Sequence, residues 1–431
     1  MIWLTSILGI LAISRLGAVS SMPGFVLGVT FLVFASYGGE AWNWSSDNSG
    51  AGLPSEILAD TSMDSLSAQA LLLASAATFF GSIVASLIWP TRWRALQVSM
   101  QRDADAVSRM LIVAVALLFV GWVVGQGPSL LDRETYLASD GILIVEKVTS
   151  LIGPLAAVSA LVYIWAFDRV PFYRATITVS AVVWYVATLS VGSRISLIFP
   201  LAALALVVLF FRAKPGLVRL FASILMAYAA LYLVFMSFEV TLASRSGDLG
   251  LLNYADLLNR AGWMSVGVDE SWTAPVQRFL SSFAASYYII GESVTMAPDA
   301  TELIRKANPL PSDWVGIDAG EGEVLEPYWF VPLAMLGESF GAFGPVGHVA
   351  LYFFFALMGG GIAGRLASTG QVLIALVVIS VVLLAGFMSL QYPSRTFWRL
   401  GSIVLFIPMA WWAVGRISSL FRFSHHRAIN K

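Results

Sequence analysis

The amino-acid sequence predicts an all-α polytopic integral membrane protein, and three observations carry that prediction. Hydrophobic residues make up 58% of the 431-residue chain and charged residues 12%, against roughly 45–50% and 25% in soluble domains. Apolar runs of roughly 17–25 residues, the length a transmembrane helix needs, recur from end to end. Charge is sorted between alternate loops, with 15 basic and 3 acidic residues on one side of the expected membrane plane and 10 basic and 23 acidic on the other. A β-barrel would alternate apolar and polar residues in short segments, whereas stretches such as Leu197 to Phe211 are apolar throughout. Helices satisfy their own backbone hydrogen bonds in lipid, so they remain as the spanning element.

Eleven spans are expected from the apolar runs, set in one membrane domain covering 1–431. The first, 2–13, lacks the basic leader and small-residue cleavage site of a signal peptide and reads as a short or tilted span. Arg15 separates it from 20–37, and 68–88 is succeeded by Arg92, Arg94, Arg102 and Arg109 before 110–126. Span 148–167 is divided from 176–192 by Arg169 and Arg174, and 195–211 from 220–238 by Arg212, Lys214 and Arg219. Arg365 lies between 344–363 and 371–389, and Arg416, Arg422, Arg427 and Lys431 come after 398–415. Short loops rich in Lys and Arg stay in the cytoplasm, so the amino terminus is expected outside and the carboxyl terminus inside.

The outward segments are 38–67, 127–147 and, largest, 239–343. The last holds Trp263, Trp272, Phe279, Phe283, Tyr287, Tyr288, Trp314, Tyr328 and Trp329, too aromatic for a disordered linker. Short helices at the membrane surface are expected there, with an extended or turn segment at Asn308-Pro309-Leu310-Pro311-Ser312-Asp313.

The outward cations are the functional candidates. Arg194, in Val191-Gly192-Ser193-Arg194, stands at the outer junction of two spans, where a charge should face the bundle interior or a water-filled cavity. Snorkelling to the outer headgroups is the plainer alternative. Arg395 and Arg399 lie one helical turn apart at the start of the last span, on one helix face, and a pair of planar bidentate donors suits phosphate or pyrophosphate. A carboxylate such as Glu338 would neutralise them in a structural reading. Arg260 and Arg278 lie in amphipathic stretches of the large loop, and Arg133 sits between Asp132 and Glu134. Arg245, Arg305 and Lys306 read as solvated charges or surface ion pairs.

Glu338, in Leu336-Gly337-Glu338-Ser339-Phe340, is a lone carboxylate in an apolar run and needs a cationic partner. It is either a structural pin for an arginine or a general base. His348 is the one histidine outside the carboxyl-terminal tail and reads as a packing residue, with His425 and His426 solvent-exposed. The absence of cysteine excludes thiolate chemistry, disulfides and cysteine metal sites. Histidine spacing for zinc and a glycine-rich phosphate loop are missing, and Gly291-Glu292-Ser293 lacks the second glycine of a serine elbow, so chemistry without metal, nucleotide or other cofactor is expected. No basic stripe supports nucleic-acid binding. Outward Trp42, Trp44, Trp263, Trp272, Trp314 and Trp329 suit either sugar stacking or an interfacial belt.

Gly192-Ser193-Arg194 at an outer helix junction, a dominant outward loop late in the chain, and Leu336-Gly337-Glu338-Ser339-Phe340 with Phe343-Gly344-Pro345-Val346-Gly347 after it together resemble the Wzy-type O-antigen and oligosaccharide repeat-unit polymerases. The resemblance implies a bacterial inner-membrane glycosyltransferase that acts on the periplasmic side. It would move a growing glycan from undecaprenyl pyrophosphate onto the free sugar end of another lipid-linked repeat unit. Its partners would be those lipid-linked oligosaccharides, the lipid bilayer and a chain-length regulator. Functionally important periplasmic arginines in that family match, by position, Arg194, Arg260, Arg278 and Arg395. With Glu338 as the catalytic carboxylate, the expected pyrophosphate-binding set is Arg194, Arg395, Arg399 and Arg133.

Three other readings stay open on the sequence. An O-antigen ligase has similar topology but relies on a periplasmic histidine, for which only His348 could serve. A transporter or flippase for anionic lipids would carry charges near mid-membrane on several helices. A polyprenyl-phosphate-sugar glycosyltransferase would present an acidic pair early in an outer loop, and Asp132 and Glu134 keep it possible.

Overall fold

The computed structural model describes residues 1–49, 61–92, 104–126, 144–190, 286–308, 324–325 and 328–406, together with a few isolated positions (196, 198–199, 202–203, 225–226 and 409). In chain order the elements are α1 (Ile2–Arg15), α2 (Met22–Ser49), α3 (Thr61–Ile88), α4 (Ala104–Gln126), α5 (Ile144–Phe167), α6 (Pro171–Ser190), α7 (Ala300–Lys306), β1 (Val324–Leu325), β2 (Tyr328–Pro332), α8 (Met335–Ser368) and α9 (Val372–Met388). Helical backbone also covers 286–295 and 394–406. Among the described residues five helices are long and apolar enough to cross a membrane: Val19–Glu40, Asp64–Ile88, Ala104–Gly125, Pro171–Leu189 and Met335–Ser368. Ile2–Arg15, Ile152–Phe167 and Val372–Met388 are shorter apolar helices. The expected spans 195–211 and 220–238 lie almost wholly outside the described residues.

Two compact units are formed, one from Met1–Leu96 with Ser282–Lys431 and one from Gln97–Ser281. In the first, α3 is central and packs on α1, α2 and α8. Close approach there depends on small residues. A Cβ at Gly81 would stand 2.7 Å from the Phe353 carbonyl oxygen, and one at Gly360 2.1 Å from that of Ser20. Serine hydroxyls bridge the same helices: Ser82 donates to the Ser21 carbonyl at 2.6 Å and Ser75 to that of Gly28 at 2.7 Å. Small residues and interhelical hydrogen bonds are how helices associate where lipid removes any hydrophobic drive between them. On α1 the buried residues are Thr5, Gly9 and Ala12, while Trp3 and Ile10 are 84% and 67% exposed. Small residues in and large apolar residues out is the pattern of a helix that faces lipid on one side.

In the second unit α5 packs on α4 and α6. Trp122 and Trp184 are both buried, their ring centres 5.3 Å apart, and a Cβ at Gly153 would meet the Trp184 ring at 2.2 Å.

Three expectations are refined. Segment 38–67, expected to face outward, is helical over 38–49 and 61–67, since those residues hold no proline and the end of an apolar run does not by itself end a helix. The span expected at 344 is preceded by a further helical stretch from Met335, and the two meet at a kink where Gly344 has φ 66° and ψ 179°. That conformation is open essentially to glycine alone, and Pro345 cannot donate back into the preceding turn. The described part of 239–343, the segment expected to face outward, contributes short helices, 286–295 and α7, and with them one small departure from the otherwise helical described residues: β1 and β2 pair antiparallel, Leu325 opposite Tyr328. Tyr328-Trp329-Phe330-Val331 is a run of aromatic and β-branched residues that fits a strand better than a helix. Of the proline-rich turn at 308–313, all but Asn308 lies outside the described residues.

Candidate functional site

The candidate site residues that the structure describes belong to the first compact unit. Its scaffold is the stretch of α8 before the kink. Gly337 and Gly341, four residues apart on one face, press against the 286–295 helix and the residues just after it: a Cβ at Gly337 would lie 2.2 Å from the Ile290 carbonyl oxygen, and one at Gly341 2.4 Å from the Ala297 Cβ. The Ser293 hydroxyl accepts from the Ala334 amide at 2.8 Å and donates to the Ile289 carbonyl at 2.6 Å. Tyr287 in turn anchors this helix to α3, its hydroxyl donating to the Asp64 carbonyl at 3.0 Å while its own carbonyl accepts from Ser67 at 2.6 Å.

The first amides of α8 have no partner within the helix, as at any helix start. Met335 N–H donates to the Tyr392 carbonyl at 2.9 Å and Leu336 N–H to that of Ser389 at 3.1 Å. The turn after α9 is thereby laid across the start of α8. From it the 394–406 helix departs, and its first amide, Ser394 N–H, donates to Glu338 Oε2 at 2.6 Å. Each of the two helix starts is therefore completed by the other's segment, and the carboxylate sits where a helix dipole favours negative charge.

The other carboxylate oxygen faces Lys306. This residue ends α7, a short helix whose Asp299 cap accepts from the Glu302 amide at 2.8 Å and whose Glu302 pairs with Arg305 at 2.9 Å. Lys306 Nζ stands 3.8 Å from Glu338 Oε1, with the two side chains 3% and 0% exposed. A buried ion pair is costly to form and costlier to break, since removing one member strands the other charge away from water. Arg395, next to Ser394, is also buried, at 4%. Arg399, one turn on, is exposed, so the two arginines stand in different surroundings although they share a helix face.

His348 lies just beyond the kink and is fully buried. Its Nε2 is 3.0 Å from the Ala70 carbonyl, which can only accept, so Nε2 carries the proton and Nδ1 receives the Ser339 hydroxyl at 2.8 Å. Phe340 and Tyr352 flank the ring, with centres 5.5 Å and 4.9 Å away. Both nitrogens are engaged in joining the two halves of α8 to each other and to α3.

Of the residues expected from sequence, Glu338 and the Ser394-Arg395 segment are brought together, and Arg399 lies beside them on the surface. Arg133, Arg194, Arg260 and Arg278 lie outside the described residues, as do Arg245, Asp132, Glu134, Trp263, Trp272 and Trp314. Lys306, which the sequence places among the solvated charges, is instead buried in the site. Its position three residues after Leu303, which is fully buried, is the periodicity that marks the inner face of α7. A buried ammonium beside a carboxylate, with a second buried cation on the residue after Ser394, suits the holding of an anion. Compared with family models, curated proteins and solved structures, the chain matches none.

Proposed function

We propose that this chain is an inner-membrane polymerase of lipid-linked glycan repeat units, with eleven spans and its site on the periplasmic side. It transfers a growing glycan from undecaprenyl pyrophosphate to the non-reducing end of another lipid-linked unit. The observation that supports the reading is the buried Lys306–Glu338 pair, tied through the Ser394 amide to the segment that carries the buried Arg395, at the end of α8 remote from Arg365, the end that the charge distribution assigns to the outside. A pyrophosphate donor brings its own leaving group, so the enzyme's task is to hold the anion and stabilise the charge that grows on it. Cationic side chains in a low-dielectric site do this. In this reading Arg194, Arg260 and Arg278 join the catalytic set, Arg133, Arg194, Arg395 and Arg399 hold the pyrophosphate, and a single displacement inverts the anomeric carbon. A product that keeps the donor's anomeric configuration would defeat the single-displacement mechanism.

A ligase would require an outward-facing histidine, and the burial of His348 with both nitrogens hydrogen-bonded favours the polymerase over that alternative.

The test is deletion of the gene in its native host, with surface glycan resolved on a gel and complementation by the intact chain, by Arg194→Ala and by Arg194→Lys. The polymerase reading expects the ladder to collapse to core plus a single repeat, with at least a tenfold loss of polymer for Arg194→Lys at equal protein level, because the ammonium lacks the bidentate fork. Polymer accumulating on the lipid carrier would signify a ligase, and an unchanged ladder would sink both.

A further inference from the structure

Lys306 presents a problem that its ion pair does not resolve. An ammonium carries three N–H donors, and a lysine this deeply buried ordinarily spends them on hydrogen bonds. Here the nearest carboxylate oxygen is 3.8 Å away, beyond hydrogen-bond reach. The side chain is nonetheless 3% exposed, fixed at the end of α7 while Leu303 anchors the same face. Glu338 is held independently by the Ser394 amide, so it supplies a counter-charge without closing on the lysine. At the helix start behind it, the Met335 and Leu336 amides are spent on the Tyr392 and Ser389 carbonyls.

We infer that Lys306 is a ligand-contacting residue whose ammonium donates to the oxygens of a phosphate or pyrophosphate group, and that Glu338 is a positioning residue which holds that ammonium in place when the anion is absent. The inference deepens the polymerase reading and rests on it for the source of the phosphate. Its chemistry requires no bond to form or break. The anion replaces Glu338 as the nearer partner of Nζ, and the carboxylate keeps its backbone amide.

This arrangement predicts opposite effects from the two members of one ion pair. Purified chain in nanodiscs of neutral phosphatidylcholine is titrated with a short-chain prenyl pyrophosphate, with inorganic pyrophosphate and with phosphatidylglycerol, and thermal unfolding is recorded on the same samples. Lys306→Gln is expected to weaken prenyl pyrophosphate binding by about tenfold or more, while Lys306→Arg retains most of it. Glu338→Gln keeps an acceptor for the Ser394 amide and removes a negative charge beside the anion, so it is expected to tighten binding by about tenfold. A structural pin would lower the unfolding temperature in both variants and leave the affinity of the folded protein unchanged, and that result would overturn the inference. Should Glu338→Gln not fold, the pair Lys306→Gln and Lys306→Arg still decides, since only contact with the anion separates them by affinity. Binding of the prenyl form alone identifies a lipid headgroup, binding of inorganic pyrophosphate as well identifies recognition of the phosphates themselves, and binding of phosphatidylglycerol in preference to both, or of none of the three, overturns it. Loss of the glycan ladder on gene deletion together with Lys306-independent binding sinks this inference alone. Lys306-dependent binding with an intact ladder sinks the polymerase reading and leaves the anion site standing.

Discussion

Ser339 and His348 stand on opposite sides of the Gly344 kink and meet through a 2.8 Å hydrogen bond, so the break in α8 is bridged by side chains where the backbone cannot bridge it. The other ring nitrogen reaches Ala70, 278 residues away in sequence, and ties both halves to α3.

Removing either partner leaves a buried polar atom unsatisfied, which costs about 1–3 kcal/mol. Ser339→Ala is expected near the lower end and His348→Ala above it, because the latter also opens a cavity between Phe340 and Tyr352. Thermal unfolding in a fixed detergent measures both. A His348→Ala protein as stable as wild type would show that the bridge contributes nothing.

Two glycines in this stretch should fail for different reasons. Gly337→Ala drives a methyl to 2.2 Å from the Ile290 carbonyl oxygen, where rigid backbone must shift; overpacking of this kind costs about 1–3 kcal/mol and more where nothing yields. Gly344→Ala meets no atom within 4 Å but forces φ 66° on a residue with a Cβ, about 1–3 kcal/mol of strain. Deletion of the Pro345 ring by Pro345→Ala, combined with Gly344→Ala, should recover part of the second loss by allowing the helix to straighten, and should do nothing for Gly337→Ala. Equal recovery in both would contradict this account.

Around Glu338 the backbone and side chain of one residue can be separated. The Ser394 hydroxyl is buried and makes no hydrogen bond among the described residues, so Ser394→Ala should leave stability unchanged or raise it, by up to about 1–3 kcal/mol. Ser394→Pro removes the amide that Glu338 accepts, at the first helical position where proline is otherwise tolerated, and should cost about 1.5–3 kcal/mol, the worth of a hydrogen bond to a charged group. Of the nearby arginines, Arg395→Ala should destabilise strongly and Arg399→Ala hardly at all, in line with their burial. Chemical unfolding of the four variants distinguishes these outcomes.

Alkaline pH should act through Tyr287. Burial, reinforced by its hydrogen bond to Asp64, pushes the phenol pKa up from its ordinary value of 10.0. A folded-state pKa above the unfolded one means that the neutral phenol stabilises the fold fully below about pH 10 and that this contribution is lost progressively above it. Wild type should therefore lose stability between about pH 10 and pH 11 more steeply than Tyr287→Phe, which has no proton to lose. Parallel curves for the two would remove Tyr287 as the cause.

The helices are legible in the sequence because apolar run length is a local property, but the helical stretch before the Gly344 kink is not, because it lies outside the apolar run that marks the span. Helix ends are less so: α2 runs on to Ser49 through Glu40 and Asp47, since leaving an apolar run does not end a helix. Glu338 is recognisable as a carboxylate in need of a partner, but its partner is not. Lys306 lies 32 positions earlier in an acidic, polar-looking segment, and what buries it is the way α7 is folded against α8, which no local pattern encodes. Tyr328 to Pro332 is hidden in the long segment 239–343 because two short strands leave little periodicity.

The closest helix contacts of the first unit are made by residues with almost nothing to delete, set among larger buried side chains such as Phe31, Phe79 and Tyr352. Gly81, Gly360, Ser75 and Ser82 hold helices at contact distance, while Trp3 and Ile10 project away from them. A saturation map of this protein should therefore read inside out relative to a water-soluble one: exchange among Leu, Ile, Val and Phe on the outer faces would pass unnoticed, and the sharpest intolerance would trace the smallest side chains in the sequence.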